Sequence, residues 1–343
     1  MIDPLVSDEQ LVKLRSLLDA ANKIVLTCHV SPDGDAMGSL TALMHVLKRQ
    51  NKTVHAVTPN LFPDFLNWLP GADEILVYEK NEEAVAPVLK EADLFVCLDF
   101  NSLTRLSMLE EPVRSNPAPK VVIDHHLHPD ETADCVISFP EMSSTCELLY
   151  RVLVALYGDS YINYDEAVSL YTGMMTDTGA FTYNSTRSDI YYIIGKLLEK
   201  GIDKDKIYRN VFYEYSEDRF RLMGYMLYVK MEVMREYNAV ILSLDREEQK
   251  RFSHKKGDTE GFVNLPLQIH GTKLSILLRE NTEQDNIRVS LRSVDDFPCN
   301  QMAAEFFHGG GHLNASGGTL ECTLDEAIEI AHRAIKKYAP LLK

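Results

Sequence analysis

Four short apolar runs punctuate the first part of the chain: KIVLTCH (Lys23 to His29), TVHAVTP (Thr53 to Pro59), DLFVCLDF (Asp93 to Phe100) and KVVIDHH (Lys120 to His126). Their length and bounding turn residues predict strands. The segments between them are helix-length and amphipathic. After Asp35, apolar residues at Met37, Leu40, Leu43, Met44 and Leu47 mark one helical face. Strand, helix, strand at this pitch predicts an α/β domain with a parallel sheet and helices on both sides.

From about Ser185 to Glu236 the pattern is mostly helical and carries charge runs such as LLEKGIDKDK, which reads as a connector. Beyond it YNAVILSLD, TKLSILLRE and NIRVSLRS alternate like strands. The glycine-rich FFHGGGHLNASGG and a final helix from about Leu324 to Leu342 follow. A chain of 343 residues exceeds one ordinary hydrophobic core. The predicted division is residues 1–190, a larger α/β domain; 191–235, a helical connector; and 236–343, a smaller α/β domain.

In parallel sheets of this kind the functional crevice lies at the carboxyl ends of the strands. Three predicted strands end in ionisable groups: His29, Asp99, and the run Asp124, His125, His126. A buried strand carries such groups only when they are paired or bind a metal. The turn HVSPDGDAMGS adds Asp33 and Asp35, with Pro32 and Gly34 bending the chain, although Asp35 as a plain helix cap fits equally well. Two adjacent histidines on an extended chain point to opposite sides, so one of His125 and His126 is expected to face a metal and the other the substrate. Asp177 closes the apolar helix of YTGMMTDTGAF, between Gly173 and Gly179, which suggest close packing.

The candidate ligands are therefore His29, Asp33, Asp35, Asp99, His125 and Asp177. Carboxylate and imidazole without thiolate suit Mn2+ or Mg2+ better than structural zinc. Six such ligands exceed what one ion takes from a protein. Two ions roughly 3.5 to 4 Å apart, bridged by one carboxylate, form the arrangement that clamps attacking and leaving oxygens in phosphoryl transfer.

Charge narrows the substrate. A net charge of −16 at pH 7 repels long polyanions, so a phosphate-bearing ligand must be held locally. Two features of the smaller domain could do so. The period of NIRVSLRS puts Arg288, Ser290 and Arg292 on one strand face, and HGGGH (His308 to His312) places Gly309, Gly310 and Gly311 where backbone N–H groups could cradle an anion beside His312. The same turn resembles the oxyanion loop of lipases, but the chain has no GxSxG nucleophile elbow. The six cysteines show no CxxC spacing and read as small buried hydrophobes in a reducing compartment. No apolar run spans a bilayer and the N-terminus lacks a signal pattern, so no membrane association and a cytoplasmic location are expected.

HVSPDGDAMGS, the acid of VCLDF, VVIDHH and GMMTDTGAF stand in the order of the four motifs of the DHH phosphoesterase superfamily, and GGGHLNASGG resembles the signature of its DHHA1 domain. The resemblance implies a Rossmann-like catalytic domain with two divalent cations, Mn2+ first and Mg2+ or Co2+ as substitutes. His29, Asp33 and Asp99 would hold one ion, and Asp35, Asp99, His125 and Asp177 the other. Asp99 would bridge, Asp124 would orient a histidine, and His126 would contact the substrate phosphate or the leaving oxygen. Arg288, Ser290, Arg292, Gly309 to Gly311 and His312 would grip the substrate, over which the DHHA1 lobe closes. Among subfamilies the compact form is similar to the nano-RNase and 3′-phosphoadenosine-5′-phosphate (pAp) phosphatase group. The expected activity is hydrolysis of short RNA or DNA oligonucleotides, including linear dinucleotides such as pApA, to 5′-mononucleotides, without action on long duplexes. A phosphatase confined to pAp or pyrophosphate-like anions and a non-catalytic nucleotide sensor are the alternatives. Apolar stretches such as YMLYV would tolerate a homodimer interface.

Overall fold

The computed structural model describes residues 5–127, 133–213, 215–255 and 257–343; His128, which follows the paired histidines, lies outside them. The chain divides into two compact units, Met1–Glu214 and Tyr215–Lys343. In the first, the strands are β1 (Lys23–Thr27), β2 (Thr53–Thr58), β3 (Leu76–Val77), β4 (Leu94–Leu98), β5 (Lys120–Asp124) and β6 (Cys135–Ser138). They form one sheet in the order β3-β2-β1-β4-β5-β6, and every neighbouring pair is parallel. The order reverses between β1 and β4, which makes their carboxyl ends the switch point where such sheets open a crevice. Four of the strands match the apolar runs; β3 and β6 are too short to show a pattern.

The helices of this unit are α1 (Asp8–Ala20), α2 (Gly34–Lys48), α3 (Glu82–Glu91), α4 (Glu110–Ser115), α5 (Thr145–Tyr157), α6 (Tyr164–Asp177), α7 (Ser188–Glu199) and α8 (Lys204–Phe212). α2 departs from the amphipathic expectation, for it is buried continuously from Gly34 through Met44. Its small residues explain this, because Ala36, Gly38, Ser39 and Ala42 let neighbouring helices approach where larger side chains would hold them off. A Cβ on Gly38 would stand 2.5 Å from the carbonyl oxygen of Ser169 in α6.

The predicted connector is not a separate element. Ile190, Ile193 and Leu197 of α7 and Ile207 and Val211 of α8 enter the core of the first unit. Leu222 and Met226 of α9 (Glu217–Tyr228) instead pack with Leu242, Leu244 and Phe262 in the second. Short helices draw their stability from burying an apolar stripe, so each one joins the nearest core.

The second unit holds β7 (Met231–Met234), β8 (Ala239–Leu244), β9 (Leu274–Glu280), β10 (Ile287–Ser293), β11 (Gly310–Gly311) and β12 (Ala315–Leu320), in the order β11-β12-β10-β9-β8-β7. β8 and β9 are parallel and the other pairs antiparallel. Its remaining helices are α10 (Arg246–Arg251), α11 (Cys299–Phe306) and α12 (Leu324–Tyr338). Ile276, Leu278, Val289 and Leu291 point from one sheet face into a core with Met302, Ala331 and Ile335. The alternation of β10 therefore turns Arg288, Ser290 and Arg292 to the opposite face. All six cysteines are free, and five are buried.

Candidate metal centre

β1 ends two residues before His29, which is buried. Its Nδ1 lies 2.9 Å from the carbonyl of Val30. Asp33 then caps α2: its Oδ1 accepts the backbone N–H of Asp35 at 3.0 Å and of Ala36 at 3.1 Å, while Oδ2 stands 3.8 Å from Nε2 of His29. The helix cap is thus Asp33, and Asp35 is released to the helix interior side. There its two oxygens accept the N–H groups of Thr145 at 2.6 Å and Cys146 at 2.9 Å, the opening residues of α5. A helix N-terminus is a natural seat for a carboxylate.

Asp99 follows β4 at φ 65°, a left-handed conformation that aspartate and asparagine tolerate better than most residues. Its N–H donates to the carbonyl of Ile123 at 3.1 Å, which ties the turn to β5. Its two oxygens face different partners. Oδ2 lies 3.4 Å from Nε2 of His29, and Oδ1 lies 3.7 Å from Nε2 of His125. Nε2 of His125 is also 3.4 Å from Oδ2 of Asp177, the last residue of α6, and 3.9 Å from Oδ2 of Asp35. The six candidate ligands therefore converge in two groups, His29 with Asp33 and Asp99, and Asp35 with His125 and Asp177; each group's donor atoms lie within 4.8 Å of one another. Asp99 stands between them.

The electrostatics of this cluster favour positive charge between the rings and the carboxylates. Nδ1 of His125 is held by the carbonyl of Met142 at 3.2 Å, as that of His29 is by Val30, so both rings turn Nε2 to the carboxylates. A neutral ring with its proton on Nδ1 sets a lone pair against those oxygens, which is repulsive unless a proton or a metal ion intervenes. Burial disfavours charge on both rings. The hydrogen bond of Asp99 with the charges of Asp33 and Asp99 outweighs it at His29, and the charges of Asp177, Asp99 and Asp35 outweigh it at His125, so both are pushed up to about 9. Asp177 is raised to about 7, by burial first and by Asp33 and Asp99 against the pull of His125. Burial followed by the charges of Asp99 and Asp177 raises Asp35 as well. At Asp99 burial acts upward, but His29, His126 and His125 together reverse it and hold the carboxyl below its ordinary range. The donor set fits divalent cations that favour oxygen and imidazole ligands.

An ion taking Nε2 of His29 and His125 as ligands would have to displace the protons that their raised pKa favours. Affinity for Mn2+ is accordingly expected to fall with pH, by at least roughly tenfold between about pH 8 and about pH 6 in calorimetric titration, with proton release. Equal affinity at the two pH values would mean that these rings are not ligands.

The paired histidines depart from the expectation of opposite orientations. Asp124, fully buried at the end of β5, accepts both the backbone N–H of His126 at 3.0 Å and its ring at Nδ1, 2.7 Å away. This bends the chain, and the two rings meet edge to face with centroids 4.9 Å apart. Both consequently reach Asp99, Nδ1 of His126 at 3.8 Å from Oδ1. The histidine that Asp124 orients is His126.

Thr145 was not among the sequence candidates, yet its hydroxyl donates to Oδ1 of Asp99 at 3.0 Å while its N–H serves Asp35. Nor was Glu147, whose buried carboxylate accepts the N–H and hydroxyl of Ser143 at 2.8 and 2.7 Å and pairs with Arg151 and Arg187. It anchors the segment whose Met142 carbonyl orients His125. The SST run before an apolar segment announces a helix start, but nothing local says that carboxylates face it.

In the second unit the glycine turn is partly structural. The N–H of Gly309 donates to Ala303 and that of His312 to Ala315, while Gly310 and Gly311 pair with Gly317 and Ser316 of β12, so the sheet takes up much of the expected row of N–H groups. A Cβ on Gly309 would lie 1.8 Å from the carbonyl oxygen of Gly317, which explains that glycine by backbone contact alone.

Two family models match the chain, the DHH family N-terminal domain over residues 23–174 and the DHHA1 domain over residues 237–337. The chain belongs to the DHH family. This DHH-family chain is 49% identical to a solved exopolyphosphatase-related protein from Bacteroides fragilis, with 99% of each chain covered and a TM-score of 0.95. It is 27% identical to the bifunctional oligoribonuclease and PAP phosphatase NrnA of Thermus thermophilus, over 92% of this chain and 89% of the relative. RecJ of Thermus thermophilus, solved in complex with Mn2+, shares the fold at 14% identity and a TM-score of 0.57, with 99% of this chain and 56% of RecJ covered. As a DHH-family member the protein is a phosphoester hydrolase. Among the described residues no helix is long and apolar enough to cross a membrane.

Proposed function

We propose that the protein hydrolyses oligonucleotides only a few residues long to 5′-mononucleotides, using two divalent cations held by His29, Asp33, Asp35, Asp99, His125 and Asp177. The observation that carries this reading is the Asp99 carboxylate, whose Oδ2 faces His29 and whose Oδ1 faces His125, an orientation that suits a ligand shared by two ions. Two ions bound there, Mn2+ first, would supply positive charge against the scissile phosphate and acidify a water. His126, its ring fixed by Asp124, would contact a phosphate oxygen or the leaving oxygen. Arg288, Ser290 and Arg292 would hold a further phosphate, with Gly310, Gly311 and His312 nearby in sequence and sheet order.

The net charge of −16 supports short substrates over long ones, since little of the surface attracts a polyanion. The name of the Thermus thermophilus relative supports pAp dephosphorylation as a second activity of the same centre. The test is product release in Mn2+ from RNA oligomers of two to about 24 residues, beside pAp and pyrophosphate. Fastest release of 5′-mononucleotides from the shortest RNAs is expected. Equal cleavage of short and long strands would overturn the length claim, turnover of pAp or pyrophosphate alone would overturn the oligonucleotide claim, and nucleotide binding without any product would favour a sensor.

A further inference from the structure

Arg187 opens α7 as its N-cap residue, a place where the positive end of the helix disfavours a cation. It belongs to none of the motifs read from the sequence. Its guanidinium reaches back to the segment 141–143 instead. Nη1 donates to the carbonyl of Glu141 at 2.7 Å, 46 residues earlier, and Nη2 lies 3.6 Å from Sδ of Met142. Nη2 also pairs with the buried carboxylate of Glu147, which accepts the N–H and hydroxyl of Ser143. Nε stands 3.4 Å from Oδ1 of Asp189 in the first turn of α7.

We infer that Arg187 is a positioning residue for one of the two proposed ion positions, that of Asp35, His125 and Asp177. The carbonyl that fixes Nδ1 of His125, at 3.2 Å, belongs to Met142. Met142 lies between Glu141, which Arg187 holds directly, and Ser143, which it holds through Glu147. The guanidinium therefore sets where that carbonyl stands and how the ring turns Nε2. Arg187 also closes the loop that begins after Asp177. Ala180 and Phe181 in that loop are left-handed, at φ 57° and 63°, and such conformations persist only where the surroundings hold them. One side chain thus braces the segment behind His125 and the far end of the loop that follows Asp177.

The brace is one-sided. His29 is fixed by the carbonyl of Val30, and Asp33 by the N–H groups that open α2. Nor does the core depend on it, for without Arg187 the buried Glu147 keeps Arg151, whose Nη2 lies 2.7 Å from Oε1. The inference rests on the two-ion reading of the proposed function and on none of its substrate claims.

The test titrates Mn2+ into the metal-free full chain and its Arg187→Met variant by calorimetry, with His125→Ala and His29→Ala to identify which binding event belongs to which position. The event lost in His125→Ala is expected to weaken about tenfold in Arg187→Met, the usual scale for removing a group that orients a metal ligand, and the event lost in His29→Ala to change by less than about twofold. The Mn2+ concentration for half-maximal turnover of a short RNA should rise by about the same tenfold, while KM for the RNA in saturating Mn2+ stays unchanged. A merely structural role would lower the melting temperature and leave both events alone, or weaken both alike; either result overturns the assignment. Uptake of a single ion by the wild type would sink the two-ion reading, yet weakening of that event in Arg187→Met would still support the positioning role, and an unchanged event would overturn it. Where Arg187→Met fails to fold, Arg187→Lys keeps the charge beside Glu147 but lacks the fork that holds carbonyl and carboxylate together. It should weaken the His125 event by at least about threefold, and wild-type binding in that variant overturns the assignment.

Discussion

Asp99→Asn is expected to lower turnover of a short RNA by about a thousandfold or more while leaving the fold intact, because it would remove one negative ligand from both proposed ion positions at once. Asparagine is the informative replacement. Asp99 sits at φ 65°, where asparagine is comfortable and alanine costs about 1 kcal/mol or more, so Asp99→Ala mixes backbone strain with the loss of a ligand. The amide of asparagine still offers one oxygen to the hydroxyl of Thr145, which preserves that hydrogen bond. The measurements are turnover in saturating Mn2+, metal stoichiometry by calorimetry, and far-UV circular dichroism as the control on folding. Undiminished turnover with two ions bound would rule out Asp99 as the bridge.

Gly173→Ala is expected to disable the centre from a position that touches no substrate. In a helix the change ordinarily stabilises by up to about 1 kcal/mol. Here the added Cβ would stand 2.2 Å from Sγ of Cys146 and 2.8 Å from Oδ1 of Asp35, so α6 and α5 must separate or Asp35 must leave the N–H groups that hold it. Overpacking of this kind costs roughly 1 to 3 kcal/mol. The expected results are a lower melting temperature in EDTA and Mn2+ binding weakened at least about tenfold. Cys146→Ala in the same chain should recover part of the stability by removing the nearer obstacle. A variant that melts and binds Mn2+ like the wild type would show that α5 and α6 are not packed at the limit that glycine allows.

Much of the first unit was legible in residue order. The runs ending at His29, Asp99 and Asp124 announced themselves because a parallel sheet buried by helices needs uninterrupted apolar residues, and a charge at the end of such a run stands out. β3 and β12 did not, the first being two residues long and the second, ASGGTL, having the composition of a turn. The connector misled for a related reason, since the helical period of residues 191–235 says that apolar stripes exist but not which core receives them. Arg187 was overlooked because in NSTRSD it is simply a charge at the start of a helix. Its meaning depends on what lies across from it.

What the sequence by itself determined about this protein is the inventory: the elements strong enough to carry a period, the six carboxylate and imidazole groups placed next to strand or helix ends, and the net negative charge. These are properties of neighbouring residues or of the whole composition, and no contact is needed to read them. Tertiary structure decided how the inventory is used. It gave the helix cap to Asp33 and sent Asp35 to the start of α5, across a separation of 110 residues. It bent His126 back through Asp124 so that both histidines meet Asp99, and it set Arg187 against Glu147. Each of these is a pairing between distant segments, fixed by strand register, by helix packing through glycine and by the requirement that buried polar groups find partners. Local sequence holds no record of such pairings, because the groups that satisfy one another come together only when the sheet forms.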